Sequence, residues 1–241
     1  MIPCISVENM RNSDAKTIAT ITPSLELMHR AAYGVFQAAN WKGKTAIVVG
    51  SGNNGGDGFA LACILQEAGH PCTVFTVSQR MSQDGAFYAE KAKTAGVSVV
   101  PFETGCLGDV DMVVDCLLGT GFQGLVRETY GAAIEAINAS HAYVVSVDIN
   151  SGMNGDTGEG TRVVRSDLTV TIGYVKRGLI MPNAGYWMKR LVCVDIGIRL
   201  EKQEWMIYDS QEPVPEGGIP CPPWLDMVPI KAVTRSKAGF I

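Results

Sequence analysis

Charged residues are scarce in this 241-residue sequence, at 18%, and neither sign forms a run. With a net charge of −4 and no basic block, the chain lacks the electrostatic footprint that nucleic acid or an anionic membrane surface requires. No apolar stretch approaches the roughly 18 residues that indicate a membrane-spanning helix. Residues Met1 to Asp14 turn polar within a few positions and hold no apolar signal core, so no leader is expected. Histidine is equally rare. Only His29, His70 and His141 occur, and neither G-x-S-x-G nor H-E-x-x-H is present. His70, after Gly69, and His141, before an apolar run, read as surface residues, and His29 reads as a helix residue. Proton chemistry should therefore fall to a carboxylate. The seven cysteines (Cys4, Cys63, Cys72, Cys106, Cys116, Cys193 and Cys221) contain no C-x-x-C pair. Cys63, Cys72, Cys116 and Cys193 lie in apolar segments and read as small buried hydrophobes, which makes a reducing, cytoplasmic setting the expectation.

What the sequence has in quantity is apolar residues, 46% of the chain, enough for a sizeable core. Near-continuous apolar runs read as strands at Lys44–Val49, Cys72–Val77, Val97–Val100, Met112–Leu117, Tyr143–Val147, Leu168–Ile172 and Leu191–Val194. Helical spacing separates several of them, at Phe59–Ala68, Ser82–Ala95 and Arg127–Asn138, and two more helices, Val7–Ile18 and Leu25–Ala39, precede the first. The alternation predicts a Rossmann-like three-layer α/β/α sandwich with a mostly parallel central sheet and N-terminal helices. Six of the 11 prolines fall between Gln211 and Pro229. Residues 1–210 are thus expected to form the domain and 211–241 a proline-rich tail or linker, dispensable for the chemistry.

Gly50-Ser51-Gly52-Asn53-Asn54-Gly55 fits the G-x-G-x-x-G dinucleotide fingerprint between a strand and a helix. A redox dehydrogenase is therefore one candidate. The second strand, however, lacks a terminal acid for the ribose, although Ser78 and Arg80 would suit a 2′-phosphate. The loop also runs on through Gly56-Asp57-Gly58. An aspartate opposes phosphate and suits a hydroxyl, an amide or a cation. Any one of Asn53, Asn54 and Asp57 would pass as a helix cap or turn former; the three together favour a recognition surface. Two further strand ends carry acids. Asp115 sits inside an apolar run before Gly119-Thr120-Gly121-Phe122-Gln123-Gly124-Leu125, and a carboxylate there needs a cation or several donors. Asp148 closes the next strand, before Ile149-Asn150-Ser151-Gly152. Ligands of open parallel sheets bind outside the carboxyl ends of the strands, where these three segments meet.

Together these segments resemble the YjeF N-terminal domain family, the NAD(P)H-hydrate epimerases, over roughly residues 5 to 200. The resemblance rests on Met10-Arg11 with Asp14, Pro23-Ser24-Leu25-Glu26-Leu27-Met28, the Gly50–Gly58 loop, Val114–Gly121, Val147–Gly152 with Gly155–Gly158, and Lys176-Arg177-Gly178-Leu179. It implies epimerisation of hydrated NADH or NADPH (NADHX, NADPHX) at C6 of the nicotinamide ring. It further implies substrate contacts from Asn53, Asn54, Gly55, Gly56 and Asp57 and from Gly119, Thr120, Gly121, Phe122, Gln123, Gly124 and Leu125. Asp148 matches the substrate-binding, catalytic acid, and Asn54, Asp115 and Ser151 match the ligands of a potassium ion. The resemblance allows a homodimer and a functional coupling to an ADP- or ATP-dependent dehydratase, whose opening residues Ser236–Phe240 faintly resemble. Non-catalytic scaffolds also resemble the family, but the retained Asp148, Asn54 and Asp115 favour catalysis. Two departures stand out. Asn150 replaces the family's proline, so a looser loop is expected without the fixed φ. His29-Arg30 replaces an acidic start and leaves the contacts of that helix open.

Overall fold

The computed structural model of the protein describes residues 1–211 and 213–232; Ser236–Phe240 lie outside them. Chain order is β1 (Ile2–Ile5), α1 (Val7–Thr20), α2 (Ser24–Ala38), β2 (Thr45–Val49), α3 (Asn53–Glu67), β3 (Cys72–Thr76), α4 (Gln83–Thr94), β4 (Ser98–Pro101), β5 (Met112–Cys116), α5 (Glu128–Ala139), β6 (Tyr143–Val147), β7 (Leu168–Ile172), β8 (Val175–Lys176), β9 (Leu191–Asp195), β10 (Trp205–Tyr208), β11 (Ile219–Pro220) and β12 (Ile230–Lys231). Eight strands form one sheet in the order β12-β9-β7-β6-β5-β2-β3-β4, and every pairing in it is parallel. Strand β2 buries all five residues, as a two-sided strand must. Ile47 and Val49 join the core under α2, α3 and α4, while Ala46 and Val48 join the one under α5. Successive side chains point to opposite faces, so one apolar run feeds two cores and produces the expected three layers.

The chain runs outward from β2 through β3 to β4, then returns to β5 on the other side of β2. That reversal opens a crevice above the carboxyl ends of β2 and β5. Helices α1 and α2 lie beside it. The α1 helix is fixed at its start by Ser6, whose side chain accepts from Asn9 N, and by the Asp156 carboxylate, which accepts from Val7 N at 2.8 Å. The D-T-G segment thereby holds α1, and with it Asp14, over the crevice. Among the described residues, no helix is long and apolar enough to cross a membrane.

Two features differ from the sequence reading. A second sheet, β11-β10-β1-β8, was not foreseen; its strands are two to four residues long, too short for periodicity to register. The proline-rich stretch is also not a free tail. It is extended, as its prolines require, but β11 pairs with β10 and β12 with β9. Leu225 is buried, and Trp224 Nε1 donates to Leu179 O at 3.0 Å. Proline removes donors, not apolar surface, so the segment still packs.

Candidate active site

The crevice holds a cavity of about 530 Å³ lined by Asp14, Asn53, Asn54, Asp57, Asp148 and Lys176 among others. The glycine loop forms its first wall. Helix α3 starts at Asn53, six residues before the apolar periodicity that begins at Phe59, so most of the loop is the helix's first turn and a half. Glycine hid this in the sequence because it is a poor helix former, yet close packing demands it here. A Cβ on Gly55 would come within 2.3 Å of Gly50 O, and one on Gly58 within 2.7 Å of Val49 Cγ1. Asn53 and Asp57, four apart, share a helix face and both line the cavity. Gly55 and Gly56 are buried behind that wall, with Gly56 against Met28.

The second wall is the loop after β5. Gly119, Thr120, Gly121 and Phe122 line the cavity, whereas Gln123, Gly124 and Leu125 are exposed outside its lining. Beneath lies Asp115, fully buried on β5. Its carboxylate accepts from Ser151 Oγ (2.5 Å), Ser151 N (3.0 Å), Ser146 Oγ (2.9 Å) and Leu117 N (3.2 Å). Burial pushes its carboxyl above the ordinary value, and these four donors pull it back down. Asn54, Asp115 and Ser151 meet around the Leu118 peptide: Asn54 Nδ2 donates to Leu118 O at 3.1 Å, and Ser151 Oγ accepts from Leu118 N at 2.8 Å. The other end of the amide, Asn54 Oδ1, is buried without a hydrogen-bond partner among the described residues. Such an orphan acceptor is costly unless something fills it.

Asp148 forms the floor. At φ 67° it is the sole non-glycine residue with positive φ among the described residues, a conformation aspartate tolerates better than most. Asp148 N donates to Val170 O at 2.8 Å, and its Oδ1 accepts from Ile172 N at 3.3 Å and from Lys176 Nζ. The sequence reading gave Lys176 a place in a motif but no role. It is only 1% exposed, and its ammonium also donates to Thr171 Oγ1 (3.0 Å) and Ile172 O (2.7 Å). A lysine next to a β-branched strand was the available signal, but the short β8 concealed that it points inward. Asp14 was likewise noted only as part of a motif. Burial, then the Asp148 charge, pushes its carboxyl up. Asp57 is raised well above the ordinary carboxylate value by burial first and then by Asp148 and Asp14.

Asn150 reverses an expectation. Its fully buried amide Nδ2 lies within hydrogen-bond distance of Val164 O (2.9 Å), Ser166 Oγ (3.0 Å) and Trp187 O (3.0 Å), and its Oδ1 accepts from Thr169 Oγ1 (2.7 Å). The loop is tied by side-chain bonds where a proline would have fixed it by its ring. Arg30 also finds partners, Glu26 at 2.8 Å and Ile196 O at 3.1 Å. Neither His29 nor the Ser78–Arg80 pair lines the cavity.

The family model described as YjeF-related protein N-terminus matches residues 24–178. A curated NAD(P)H-hydrate epimerase from Limosilactobacillus fermentum is 36% identical over 202 residues, 79% of this chain and 95% of its own. One from Rhodopirellula baltica is 34% identical over 211 residues, 83% of this chain and 86% of its own. A bifunctional NAD(P)H-hydrate repair enzyme from Coxiella burnetii is 38% identical over 181 residues, 72% of this chain but 37% of that longer protein. The crystal structure of yeast ynu0 superposes with a TM-score of 0.69 at 20% identity, covering 83% of this chain and 96% of that one, a likeness of fold. Matched over most of its length by sequence, the chain belongs to the YjeF-related N-terminal family.

Proposed function

We propose that this protein is an isomerase that interconverts the R and S epimers of hydrated NADH and NADPH at C6 of the nicotinamide ring, the activity named in its relatives. The observation that carries this reading is Asp148, held by Lys176 on the floor of a cavity that offers no histidine or thiol among its lining residues. In the substrate the hydroxyl sits on carbon beside a nitrogen. The nitrogen lone pair expels it, leaving a planar cationic ring, and water returns to either face. The reaction needs proton transfer at the departing oxygen and negative charge near the ring. Asp148 supplies both. Lys176 fixes its orientation from a buried strand, and Gly119 leaves room above it: a Cβ there would sit 3.8 Å from Asp148 Oδ2 and 3.2 Å from Asn54 Cβ. No net electron transfer occurs, so no second nicotinamide is required.

Asn54, Asp115 and Ser151 fit a potassium ion. The orphan Asn54 Oδ1, the buried Asp115 carboxylate and the Ser151 hydroxyl are hard oxygens, and no cationic side chain bonds to Asp115 among the described residues. Bound there, the ion would supply the missing positive charge and clamp the loops after β2, β5 and β6 in register. A cytoplasmic setting, a homodimer and coupling to a dehydratase are part of the same proposal, the last supported by the bifunctional relatives. The test is chromatographic. One pure epimer given to the protein should yield the other, with no change in redox state; NADPH turnover without epimerisation would instead favour an oxidoreductase.

A further inference from the structure

We propose that Asp57 is a second proton-transferring carboxyl, serving the face of the nicotinamide ring opposite Asp148, so that each epimer's hydroxyl departs with help from a different aspartate. The inference rests on the epimerase reading above and adds a division of labour to it.

Asp148 follows β6, and Asp57 lies in the opening turns of α3, the helix that follows β2, with β5 between the two strands. Adjacent strands lie about 4.8 Å apart, so the ends of β6 and β2 are roughly 10 Å apart, and α3 carries Asp57 onward from the β2 side. Their side chains line one cavity, and the intervening loop contributes Gly119, which has no side chain to fill the gap. In this arrangement a planar ring over Gly119 would lie between the carboxyl after β6 and the one on α3. The two carboxyls differ in their surroundings. Asp148 is ion-paired to Lys176, whereas Asp57 has no hydrogen-bond or ion-pair partner among the described residues. The charged groups that act on Asp57 are Asp148, Asp14 on α1, Lys176 and Asp84 on α4, and Arg11 on α1 lines the same cavity. Burial and the neighbouring acids, against a lysine already paired with Asp148, raise the carboxyl of Asp57.

In the proposed resting arrangement Asp57 carries the proton and Asp148, ion-paired to Lys176, is the carboxylate. When the hydroxyl faces Asp57, that acid protonates it. The C6–O bond breaks with its electron pair on oxygen, and the ring nitrogen lone pair forms a C=N double bond. A water on the opposite face then adds to C6. The C=N pair returns to nitrogen, and the water's proton passes to Asp148. The ring ends as the other epimer, Asp57 ionised and Asp148 protonated. The reverse reaction starts from that state, and proton exchange through cavity water resets the pair for repeated turnover in one direction.

Each pure epimer, incubated in ¹⁸O-labelled water with Asp57→Asn protein, tests the assignment. An amide at 57 cannot donate the proton, but Asp148 can still release and readd water on its own face. Epimerisation should fall ~10²–10⁴-fold below the wild-type rate. One epimer should nevertheless take up ¹⁸O without inversion, while the other shows neither exchange nor inversion. Asp148→Asn should show the mirror pattern. If that variant does not fold, the two epimers with Asp57→Asn decide alone. Equal exchange in both epimers, equal loss in both, or inversion within tenfold of the wild-type rate would overturn the proposal. Failure of the unmodified protein to epimerise would instead overturn the epimerase reading itself, so the two ideas fail separately.

Discussion

At the scale of single residues, the proposed function rests on Asp148, and its partner Lys176 alters what its removal should do. Asparagine tolerates the positive φ of Asp148, so the backbone should be retained in Asp148→Asn. Epimerisation should drop ~10²–10⁴-fold from lost acid–base help. Stability should fall too, because Lys176 is left as a buried cation without its anion, a change worth about 3–5 kcal/mol when one member of a buried pair is removed. Adding Lys176→Met should restore much of the melting temperature and none of the turnover; recovery of activity in the double variant would remove Asp148 from the chemistry. Asp57 predicts a pH effect. Its folded carboxyl titrates above its unfolded value, so the folded protein holds a proton that the unfolded chain releases. That contribution to stability is complete below the unfolded value and is lost as pH rises through the folded one. Asp57→Asn should therefore gain stability relative to wild type as pH rises above about 4, read as urea midpoints across a pH series; a constant difference would contradict the burial argument. Asp148, Asn54 and Asp115 were legible because acids and amides at strand ends in apolar surroundings are conspicuous. Lys176 was not, since one lysine among strand residues gives no sign of which way it points.

At the scale of elements, the short segments after β2, β5 and β6 carry the site, and each is fixed by a different device. Close helix–strand packing at Gly55 and Gly58 fixes the first, the donors around Asp115 the second, and the Asn150 amide the third. Asn150→Ala should cost about 1–3 kcal/mol through stranded buried partners, with a smaller loss of turnover than Asp148→Asn. A thermal melt within a degree of wild type would show that these hydrogen bonds do not hold the loop. Asp115→Ala should abolish any difference between potassium and a bulky organic cation at matched ionic strength. If the unaltered protein makes no such distinction in melting temperature or rate, the ion assignment fails. The strands of the large sheet were legible as apolar runs, and the start of α3 was not, because its first six residues include three glycines that erase helical periodicity. The looser loop expected at Asn150 rested on backbone stiffness alone; side-chain bonds fixed it instead.

At the scale of the whole molecule, the alternation of apolar strands and helices predicted the three layers, and their connection order sets the crevice between β2 and β5. Composition misled at the C-terminal side. Prolines from 213 to 229 excluded regular structure but did not exclude attachment, and the stretch completes an edge of each sheet. Truncation after Gln211 should lower the melting temperature by several degrees, through the lost burial of Leu225 and its neighbours. A truncated chain as stable as the full one would return that stretch to the status of a tail. The central claim concerns the molecule as a catalyst, and one measurement meets it directly. A single purified epimer of hydrated NADPH is incubated with the protein and with Asp148→Asn, and the opposite epimer is followed by chromatography against the uncatalysed background. The account predicts rapid approach to the same epimer mixture from either starting epimer, and a rate at least ~10²-fold lower for the variant. Formation of the opposite epimer at the background rate with folded wild-type protein would contradict it.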